Sequence, residues 1–283
     1  MASPRHFEVA YAINPWMRPD IWADDKAGHG RAAGAAFGAL EEGLLAAGGE
    51  VRLVDGAAGL PDMVFTANAA VVLDGRALLA RFRHPERRGE EAEFARLFEG
   101  FRREGLLSAV ESLPEGLFQE GAGDCVWDEA RQLFWGGYGP RSSLQSHRAV
   151  AGFFDREVVS LELATQRYYH LDVALSALPG GEVLYYPAAF APAARHAIAD
   201  RVPPDSLVAV GEPEAAAFGL NIVCVGRDLV MARTTPRLRA ILAERGYAVR
   251  EVDLDPFLLA GGAAFCLTLR LDRRSGDGER TPA

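Results

Sequence analysis

Polar residues suited to acid–base, nucleophilic or hydrogen-bonding roles recur along this chain at intervals of roughly fifty residues, each at the start of a short apolar segment. These markers are Asn68, Asp124, His170 with Asp172, Asn221 and Cys266. Self-similarity at a fixed period is typical of a repeat architecture. If the units close into a ring and point their markers the same way, a thiol, an imidazole, carboxylates and amides meet at one axis. The spacing therefore predicts an active site assembled by symmetry.

Cys266 is the candidate nucleophile. It follows the small residues of 261–264, which leave room for a ligand and permit close backbone approach. A thiol becomes a nucleophile when a neighbouring positive charge or base lowers its pKa. The alternative is a buried core cysteine, because free cysteine is among the most buried residue types. We expect that core position for Cys125 and Cys224, which lie within apolar hairpins.

His170, in the string YYHLD, is the candidate acid and base. An imidazole at such a site protonates a leaving amine and then activates water. The alternative is a hydrogen-bonded core histidine. Asp172 follows two residues later, and on a strand its side chain would face the same side as that of His170. The pair therefore favours a functional site over a core position.

Two carboxylates, Glu120 and Asp124, stand on either side of the small turn 121–123. Placed so, they can orient an imidazole and hold a cation through charge-assisted hydrogen bonds. A solvated acidic turn is the alternative. The string EGAGD lacks the lysine of a phosphate-binding loop, and its acids would repel phosphate.

Loop residues supply the remaining candidates, which are Asn14, Asn68, Arg87 and Arg141. Turn formation accounts for most loop asparagines. Surface solvation is the ordinary explanation for the arginines. The planar arginine fork also matches a carboxylate, so either arginine is a candidate clamp for the acidic end of a substrate.

The elements that position these residues follow one order: helix, strand, loop, marker, hairpin. Helices are predicted over 31–48, 90–103, 143–154, 191–201 and 236–246. Hairpins are predicted over 70–81, 125–135, 174–186 and 222–232, followed by a last strand over 266–271. The polar segment 18–30 is a candidate mobile segment. No linker interrupts the pattern, which indicates one catalytic domain over 1–272 and a flexible C-terminal tail over 273–283.

Composition excludes several classes of protein. The chain of 283 residues is 49% hydrophobic and 24% charged, as in a globular protein with a large core. We expect no membrane span, because no apolar run approaches the ~18 residues that one needs, and the amino-terminal segment does not resemble a secretory signal. The net charge of −9 without a dense basic run argues against nucleic-acid binding. Three cysteines, an odd number, suit a reduced, cytoplasmic setting. A homo-oligomer is left open.

Several strings occur in order across nearly the whole chain: NPWM, PDMVFTANA, RFRHPERRGEE, FQEGAGD, GYGPRS, YYHLD, VLYYP and GGAAFCLTLR. Together they resemble the guanidine-modifying superfamily, also called penteins or the amidinotransferase fold, which includes arginine deiminases and dimethylarginine dimethylaminohydrolases. Within it the chain is most similar to arginine dihydrolases. The resemblance implies an α/β fold, a five-bladed pseudo-fivefold α/β propeller, which agrees with the period of the markers.

The resemblance also implies a role for each matching residue. Cys266 matches the nucleophile and His170 the acid/base, while Glu120 and Asp172 match carboxylates that orient His170 and bind the guanidinium. The implied substrate-binding residues are Asn14, Asn68, Arg87, Asp124, Arg141 and Asn221. Asn68 stands where deiminases and dimethylarginine hydrolases usually have an acid, and in dihydrolases an asparagine there accompanies a second round of hydrolysis.

The implied substrate is arginine or a related guanidine, and the implied reaction releases ornithine, ammonia and carbon dioxide through a citrulline-level intermediate. Thiolate and imidazole suffice for it, so neither a metal nor an organic cofactor is expected. Alternatives remain open: dimethylarginine hydrolysis, deimination that stops at citrulline, amidino transfer to an amine, or a non-catalytic propeller that binds arginine.

Overall fold

Four small sheets of one design succeed one another in this computed structural model, which describes residues 1–276. In each sheet an antiparallel hairpin is followed by a third strand that pairs in parallel with the second. The first two sheets are β1 (Ala70–Leu73), β2 (Arg76–Leu79) and β3 (Ala109–Ser112), then β4 (Cys125–Asp128), β5 (Leu133–Tyr138) and β6 (Val158–Glu162). The other two are β7 (Leu175–Ala177), β8 (Val183–Tyr185) and β9 (Leu207–Ala209), then β10 (Val223–Val225), β11 (Asp228–Met231) and β12 (Ala248–Glu251).

Helices connect the second strand of each sheet to the third. In chain order the helices are α1 (Pro19–Asp24), α2 (Lys26–Ala46), α3 (Pro85–Arg103), α4 (Ser146–Phe154), α5 (Pro192–Ala199), α6 (Glu212–Ala216), α7 (Pro236–Glu244) and α8 (Asp255–Leu258). Four of them, α3, α4, α5 and α7, are the connecting helices. Three of these four begin with proline, whose fixed φ and missing N–H suit the first helical position.

The predicted hairpins are confirmed. In the first one the two turn residues, Asp74 and Gly75, have φ of 54° and 69°. Turns with positive φ at both central residues match the twist of the flanking strands, which is why Asp-Gly marks a two-residue hairpin.

The predicted last strand over 266–271 is wrong. Cys266 lies in a turn, and no described residue pairs with the extended segment after it. Residues 1–276 therefore form a mixed α/β fold with four sheets, and no fifth sheet closes a ring among them. The candidate mobile segment 18–30 forms α1 and the start of α2, where the Asp25 side chain accepts a hydrogen bond from Gly28 N at 2.8 Å.

Burial decreases from the first strand of each sheet to the third. The first strands β1 and β4 are buried along their whole length, whereas the third strands β3 and β12 are largely exposed. The first strands thus line the middle of the molecule. Because the markers stand just before these strands, the fold carries them to the centre.

Part of the predicted tail is held against the first hairpin turn. Asp74 N donates to Arg273 O at 2.9 Å, and Ser275 N donates to Asp74 Oδ1 at 2.7 Å. Residues 277–283 lie outside the described residues, and the single domain over 1–272 stays a prediction. None of the helices within 1–276 has the length and apolarity needed to cross a membrane.

Candidate active site

Three short 3₁₀ turns, Thr66–Asn68, Gly121–Gly123 and Leu171–Val173, carry site residues to the centre. They pack against one another because the middle turn has glycine where a side chain would collide. A Cβ on Gly123 would lie 2.3 Å from Asn68 Nδ2. The string EGAGD therefore permits a close approach of backbones.

The imidazole end of the site, defined by Glu120, Arg141 and His170, is charge-balanced. His170 Nε2 lies 2.8 Å from Glu120 Oε2, and Arg141 Nη1 donates to the same oxygen at 2.9 Å. All three residues are at most 2% exposed. Burial alone would raise the pKa of Glu120, but the positive charge of Arg141 and the hydrogen bond from His170 hold that pKa well below its usual range.

Glu120 is therefore ionised, and an ionised carboxylate only accepts hydrogen bonds. His170 Nε2 must carry the proton of that contact, which leaves Nδ1 to exchange protons elsewhere. Nδ1 lies on the side of Gly123, where an added Cβ would be 3.4 Å away.

The thiol end of the site, defined by Cys266, Asp172 and Asn221, has no cationic side chain in contact among residues 1–276. Cys266 Sγ lies 3.1 Å from Asp172 Oδ2 and 3.1 Å from Asn221 Nδ2. Burial raises the pKa of Asp172 to about 7. Burial, and then the charge of Asp172, raise the pKa of the Cys266 thiol well above its usual range. The thiol is thus protonated and donates to Asp172.

Asp172 has one oxygen, Oδ1, that is buried without a hydrogen-bond partner among the described residues. Buried polar atoms are nearly always paired, so such an oxygen marks a place for a ligand or water. Asn221 holds both the backbone and the thiol of Cys266. Its Oδ1 accepts from Cys266 N at 3.2 Å, and its Nδ2 contacts the sulfur.

Tyr169 forms a wall shared by the two ends. Its hydroxyl donates to Gly261 O at 2.8 Å, and the Arg141 guanidinium lies 4.7 Å from its ring centre. Burial, and then the charge of Cys266, raise the pKa of Tyr169 well above its usual range. Sulfur and imidazole make no hydrogen bond with each other within residues 1–276.

Arg87 and Asn68 form a third cluster beside the imidazole end. Arg87 Nε and Nη2 each donate to Glu90 at 2.8 Å, and Nη1 donates to Asn68 Oδ1 at 2.8 Å. Asn68 Nδ2 donates in turn to Glu120 O at 3.2 Å. These contacts fix which way the Asn68 amide faces, and they already occupy most of the Arg87 fork.

The sequence reasoning missed Asp62. This buried residue accepts from the Tyr11 hydroxyl at 3.0 Å and lies 4.0 Å from Arg87 Nε, but its Oδ1 has no partner among the described residues. Burial raises its pKa. A signal existed, since Asp62 is the one acid in the otherwise apolar string PDMVF.

Asp124 and Asn14 brace the loops around the site. Asp124 accepts from Ser142 Oγ at 2.6 Å and from Leu171 N at 2.9 Å, and burial raises its pKa to about 6. Asn14 donates to Ala260 O at 3.1 Å. The structure therefore brings the predicted site residues to one region. Within it, Asp124 and Asn14 hold neighbouring loops through hydrogen bonds. Across 1–276, no group of three or more His, Cys, Asp or Glu residues is arranged to hold a metal ion.

A family model and two relatives that this chain matches are described as acting on arginine or dimethylarginine. A family model described as N,N dimethylarginine dimethylhydrolase, eukaryotic, matches residues 4–273. The bifunctional arginine dihydrolase/ornithine cyclodeaminase ArgZ of Synechocystis is 44% identical over 273 residues, which are 96% of this chain and 37% of ArgZ. The N(G),N(G)-dimethylarginine dimethylaminohydrolase of Mycobacterium tuberculosis is 37% identical over 273 residues, covering 96% of this chain and 84% of that protein.

Solved structures give the same relatives. The substrate-bound N-terminal domain of ArgZ, an arginine dihydrolase from cyanobacteria, superposes with a TM-score of 0.89 at 40% identity and covers 97% of both chains. Unliganded AgrE superposes with a TM-score of 0.91 at 40% identity, over 98% of this chain and 39% of AgrE. This chain spans 37% of the length of the two bifunctional relatives, ArgZ and AgrE of Nostoc.

Proposed function

Because this chain belongs to the N,N dimethylarginine dimethylhydrolase family of guanidine-modifying enzymes, we propose that it is an arginine dihydrolase. It hydrolyses the guanidinium of free L-arginine with a cysteine nucleophile and releases ornithine, ammonia and carbon dioxide. The relatives ArgZ and AgrE, described as arginine dihydrolases, support this assignment over the other activities of the family.

The observation that carries the proposal is Asp172 Oδ1, which lies beside the Cys266 thiol and has no hydrogen-bond partner within residues 1–276. A guanidinium is a planar cation whose N–H groups match a carboxylate. When it binds Asp172, it supplies the positive charge that this end of the site lacks. That charge favours the thiolate, because a neighbouring cation lowers the pKa of a thiol. The substrate thus activates its own nucleophile.

Bond formation then follows from the positions of the groups. The sulfur attacks the central carbon, and the electron pair of a C–N double bond moves to nitrogen. The proton that the thiol loses passes to His170 Nδ1, which delivers it to one terminal nitrogen. The C–N bond to that nitrogen breaks, and ammonia leaves. The remaining intermediate is an S-alkylthiouronium on Cys266. Glu120 keeps the imidazole oriented during this step through the hydrogen bond at Nε2.

Water completes the first round. His170 Nδ1 takes a proton from water, the hydroxide oxygen bonds to the central carbon, and the C–S bond breaks to return the thiolate. The product is citrulline. General base catalysis of this kind contributes about 10²–10⁴ in rate.

A second round at the same carbon releases the second ammonia. The ureido group of citrulline is neutral, and the Asn68 amide can both donate to it and accept from it, whereas a carboxylate only accepts. Sulfur displaces the remaining terminal nitrogen as ammonia and leaves an S-carbamoyl group on Cys266. Water cleaves that group, and ornithine leaves with carbon dioxide.

Arginine has a second cation, its α-ammonium, and the site has a second unpaired carboxylate oxygen in Asp62. We assign Asp62 to that ammonium. Asn14, Arg87, Asp124, Arg141 and Asn221 complete the proposed substrate-binding set. Arg87 acts through Asn68, whose amide it orients.

We also propose that residues 1–272 form one catalytic domain built as a five-unit propeller. Four sheets of one design support this, since each has a marker before its first strand. Cys266 holds the marker position of the fifth unit.

A second candidate is dimethylarginine hydrolysis. The description of the family model and the relative from Mycobacterium tuberculosis favour it. It uses the same nucleophile and acid/base, but the leaving group is dimethylamine and the reaction stops at citrulline.

Product analysis separates these functions. Purified protein is incubated with L-arginine or with asymmetric dimethylarginine, and citrulline, ornithine, ammonia and dimethylamine are quantified. We expect one ornithine and two ammonia per arginine, and no products from the Cys266→Ser control. Citrulline as the sole end product of arginine would overturn the dihydrolase assignment. Transfer of the amidino group to an added amine, or binding without turnover, would indicate the amidinotransferase or the non-catalytic alternative.

A further inference from the structure

A small cavity borders the candidate active site without including its reactive groups. Ala122 and Phe265 line the cavity, and both adjoin site residues along the chain: Ala122 lies in the turn Gly121–Gly123, and Phe265 precedes Cys266. Neither Cys266 nor His170 lines it. Its volume is about 30 Å³, which is room for about two water molecules. The cavity is therefore a separate place beside the catalytic groups.

The polar lining of this cavity consists of hydrogen-bond donors, and no carboxylate among residues 1–276 contributes to it. The lining residues with polar side chains are Cys125, Trp127, Cys224, Thr268, Arg270 and Arg273. Indole and guanidinium groups only donate hydrogen bonds. The Thr268 hydroxyl already donates to Phe265 O at 3.0 Å. The lining thus favours an occupant that accepts hydrogen bonds.

Trp127 contributes a buried donor that has no partner. The residue is 4% exposed, and no atom within residues 1–276 accepts a hydrogen bond from its Nε1. A buried indole N–H usually finds an acceptor. The ring packs edge-on against Phe134, with 4.8 Å between ring centres, and that contact supplies none. The cavity is therefore the place from which an acceptor can reach Nε1.

The two arginines of the lining differ in how their charges are balanced. Arg270 Nε and Nη2 donate to Asp272 at 2.6 and 2.5 Å, and its Nη1 donates to Cys224 O. The Arg273 side chain makes no hydrogen bond or ion pair with another of residues 1–276, and Glu129 acts on it only from a distance. Burial, and then the charge of Arg270, lower the pKa of Arg273 below its usual range. Within the described residues, Arg273 is thus a cation without an anion in contact.

We propose that this cavity binds a small inorganic monoanion between the Trp127 indole N–H and the Arg273 guanidinium. Both side chains line the same small space, so one ion can contact both. Nitrate and bicarbonate have the required chemistry, because each is planar, carries one negative charge and accepts hydrogen bonds at its oxygens. Tetrahedral phosphate and sulfate are larger and doubly charged, and we expect them to be excluded. The inference does not depend on the proposed catalytic function.

The indole N–H of Trp127 reports directly on occupancy. The full chain, labelled with ¹⁵N, is titrated with sodium nitrate at constant ionic strength in sodium gluconate, whose anion is too large for the cavity. The chain has four tryptophans, and Trp127→Phe identifies the indole signal that belongs to the cavity. We expect that signal to shift and saturate, while the other three stay in place. Arg273→Met should raise Kd for nitrate at least tenfold.

Arg274→Met is the matched control, because Arg274 is the exposed neighbour of Arg273 and does not line the cavity. Its Kd should stay within twofold of the parent value. Thermal unfolding gives a second readout, since an ion that binds the folded state raises the midpoint. Nitrate should raise the midpoint of the parent and of Arg274→Met more than that of Arg273→Met or Trp127→Phe.

Three outcomes would overturn the proposal. One is a Trp127 signal that does not saturate, or that responds equally in the Arg273 and Arg274 variants. The second is sulfate that binds as tightly as nitrate, which would contradict a site for small monoanions. The third is a signal that responds to nitrate only when the chain is ended after Gly276, which would show that an acidic group of residues 277–283 occupies the cavity instead.

Discussion

The imidazole end and the thiol end of the candidate site contain buried carboxylates with opposite pKa shifts. Glu120 accepts from Arg141 and His170 and its pKa is well below the usual range. Asp172 is about as buried but faces no cation in the part of the chain that the structure describes, and its pKa rises to about 7. The difference lies in the partners rather than in depth, because desolvation raises both pKa values.

That difference separates two uses of a buried acid. A carboxylate that is already paired orients a catalytic group and stays ionised whether or not substrate is present. A carboxylate with a free oxygen lacks a positive charge and a hydrogen-bond donor, and a cationic ligand supplies both. The imidazole end is thus complete in the free protein, and the thiol end becomes complete when a guanidinium binds.

The largest effect is expected for Cys266→Ser. Loss of the nucleophile should reduce turnover of arginine by about 10⁴-fold or more, as removal of a nucleophile does in covalent catalysis. Binding of arginine should survive, because Asp172 keeps its free oxygen. The measurements are product formation and calorimetric binding, with Cys224→Ala as the matched control that retains activity. Turnover near that of the control would disprove the assignment.

Asp172→Asn should separate catalysis from thiol reactivity. We expect kcat/KM for arginine to fall about 10³-fold, since the guanidinium loses a charged hydrogen-bond partner. The free thiol should instead react faster with iodoacetamide near pH 8, because the charge of Asp172 raises the pKa of Cys266. Slower alkylation together with lost turnover would show that Asp172 activates the thiol directly. That result would contradict the claim that the thiol end becomes complete only when a guanidinium binds.

Glu120→Gln tests the imidazole end. We expect kcat to fall about 10²-fold, because the imidazole loses its orienting charge. Alkylation of Cys266 should stay within about twofold of the parent protein, because Glu120 does not contact the sulfur. Buried Arg141 loses its carboxylate at a cost of about 3–5 kcal/mol in stability. Arginine turnover equal to that of the parent would remove Glu120 from the mechanism.

The ion pair of Glu120 and Arg141 predicts that the folded protein loses stability at acid pH. The pKa of Glu120 is depressed in the folded state, so its stabilisation is present above its ordinary value near 4.5 and is lost as the pH falls below it. The thermal midpoint of the parent should therefore decline more steeply below pH 4.5 than that of Glu120→Gln. Parallel declines would mean that another carboxylate governs acid unfolding.

The repeat was readable from the sequence because turns and burial obey local rules. Asp74-Gly75 defines a hairpin, and the first strands are apolar because they are buried on both faces. The last strand was not readable in the same way. Residues 266–271 have strand-like composition, but a strand also needs a partner, and no described strand pairs with them.

The site residues were readable as types, while their pairings were not. His170 and Asp172 were expected on one face of a strand. The intervening turn Leu171–Val173 instead directs one to Glu120 and the other to Cys266. Asp62 and Glu90 were missed because their importance arises from burial beside Arg87, which spacing along the chain does not reveal.

Asn68→Asp tests the cluster of Arg87 and Asn68 that lies beside the imidazole end. The new carboxylate would still pair with Arg87, but it would place an oxygen against Glu120 O, where Asn68 now donates. It would also lose the N–H that a neutral ureido group accepts. We expect the share of arginine converted to ornithine to fall several-fold and citrulline to accumulate. An unchanged ornithine share would exclude Asn68 from the second round.

Proton linkage is the subtlest expected effect. The pKa of Asp172 is raised from an ordinary value near 3.8 to about 7, so the folded state holds a proton that the unfolded state lacks between these values. Its contribution to stability therefore falls as the pH rises from about 4 to about 7. A bound guanidinium favours the ionised acid, so binding must release that proton. Calorimetry of arginine with Cys266→Ser near pH 6.5, in buffers of different ionisation enthalpy, should show release approaching one proton. The double variant with Asp172→Asn should release markedly less, and equal release from both would assign the proton to another group and place the cation away from the thiol end.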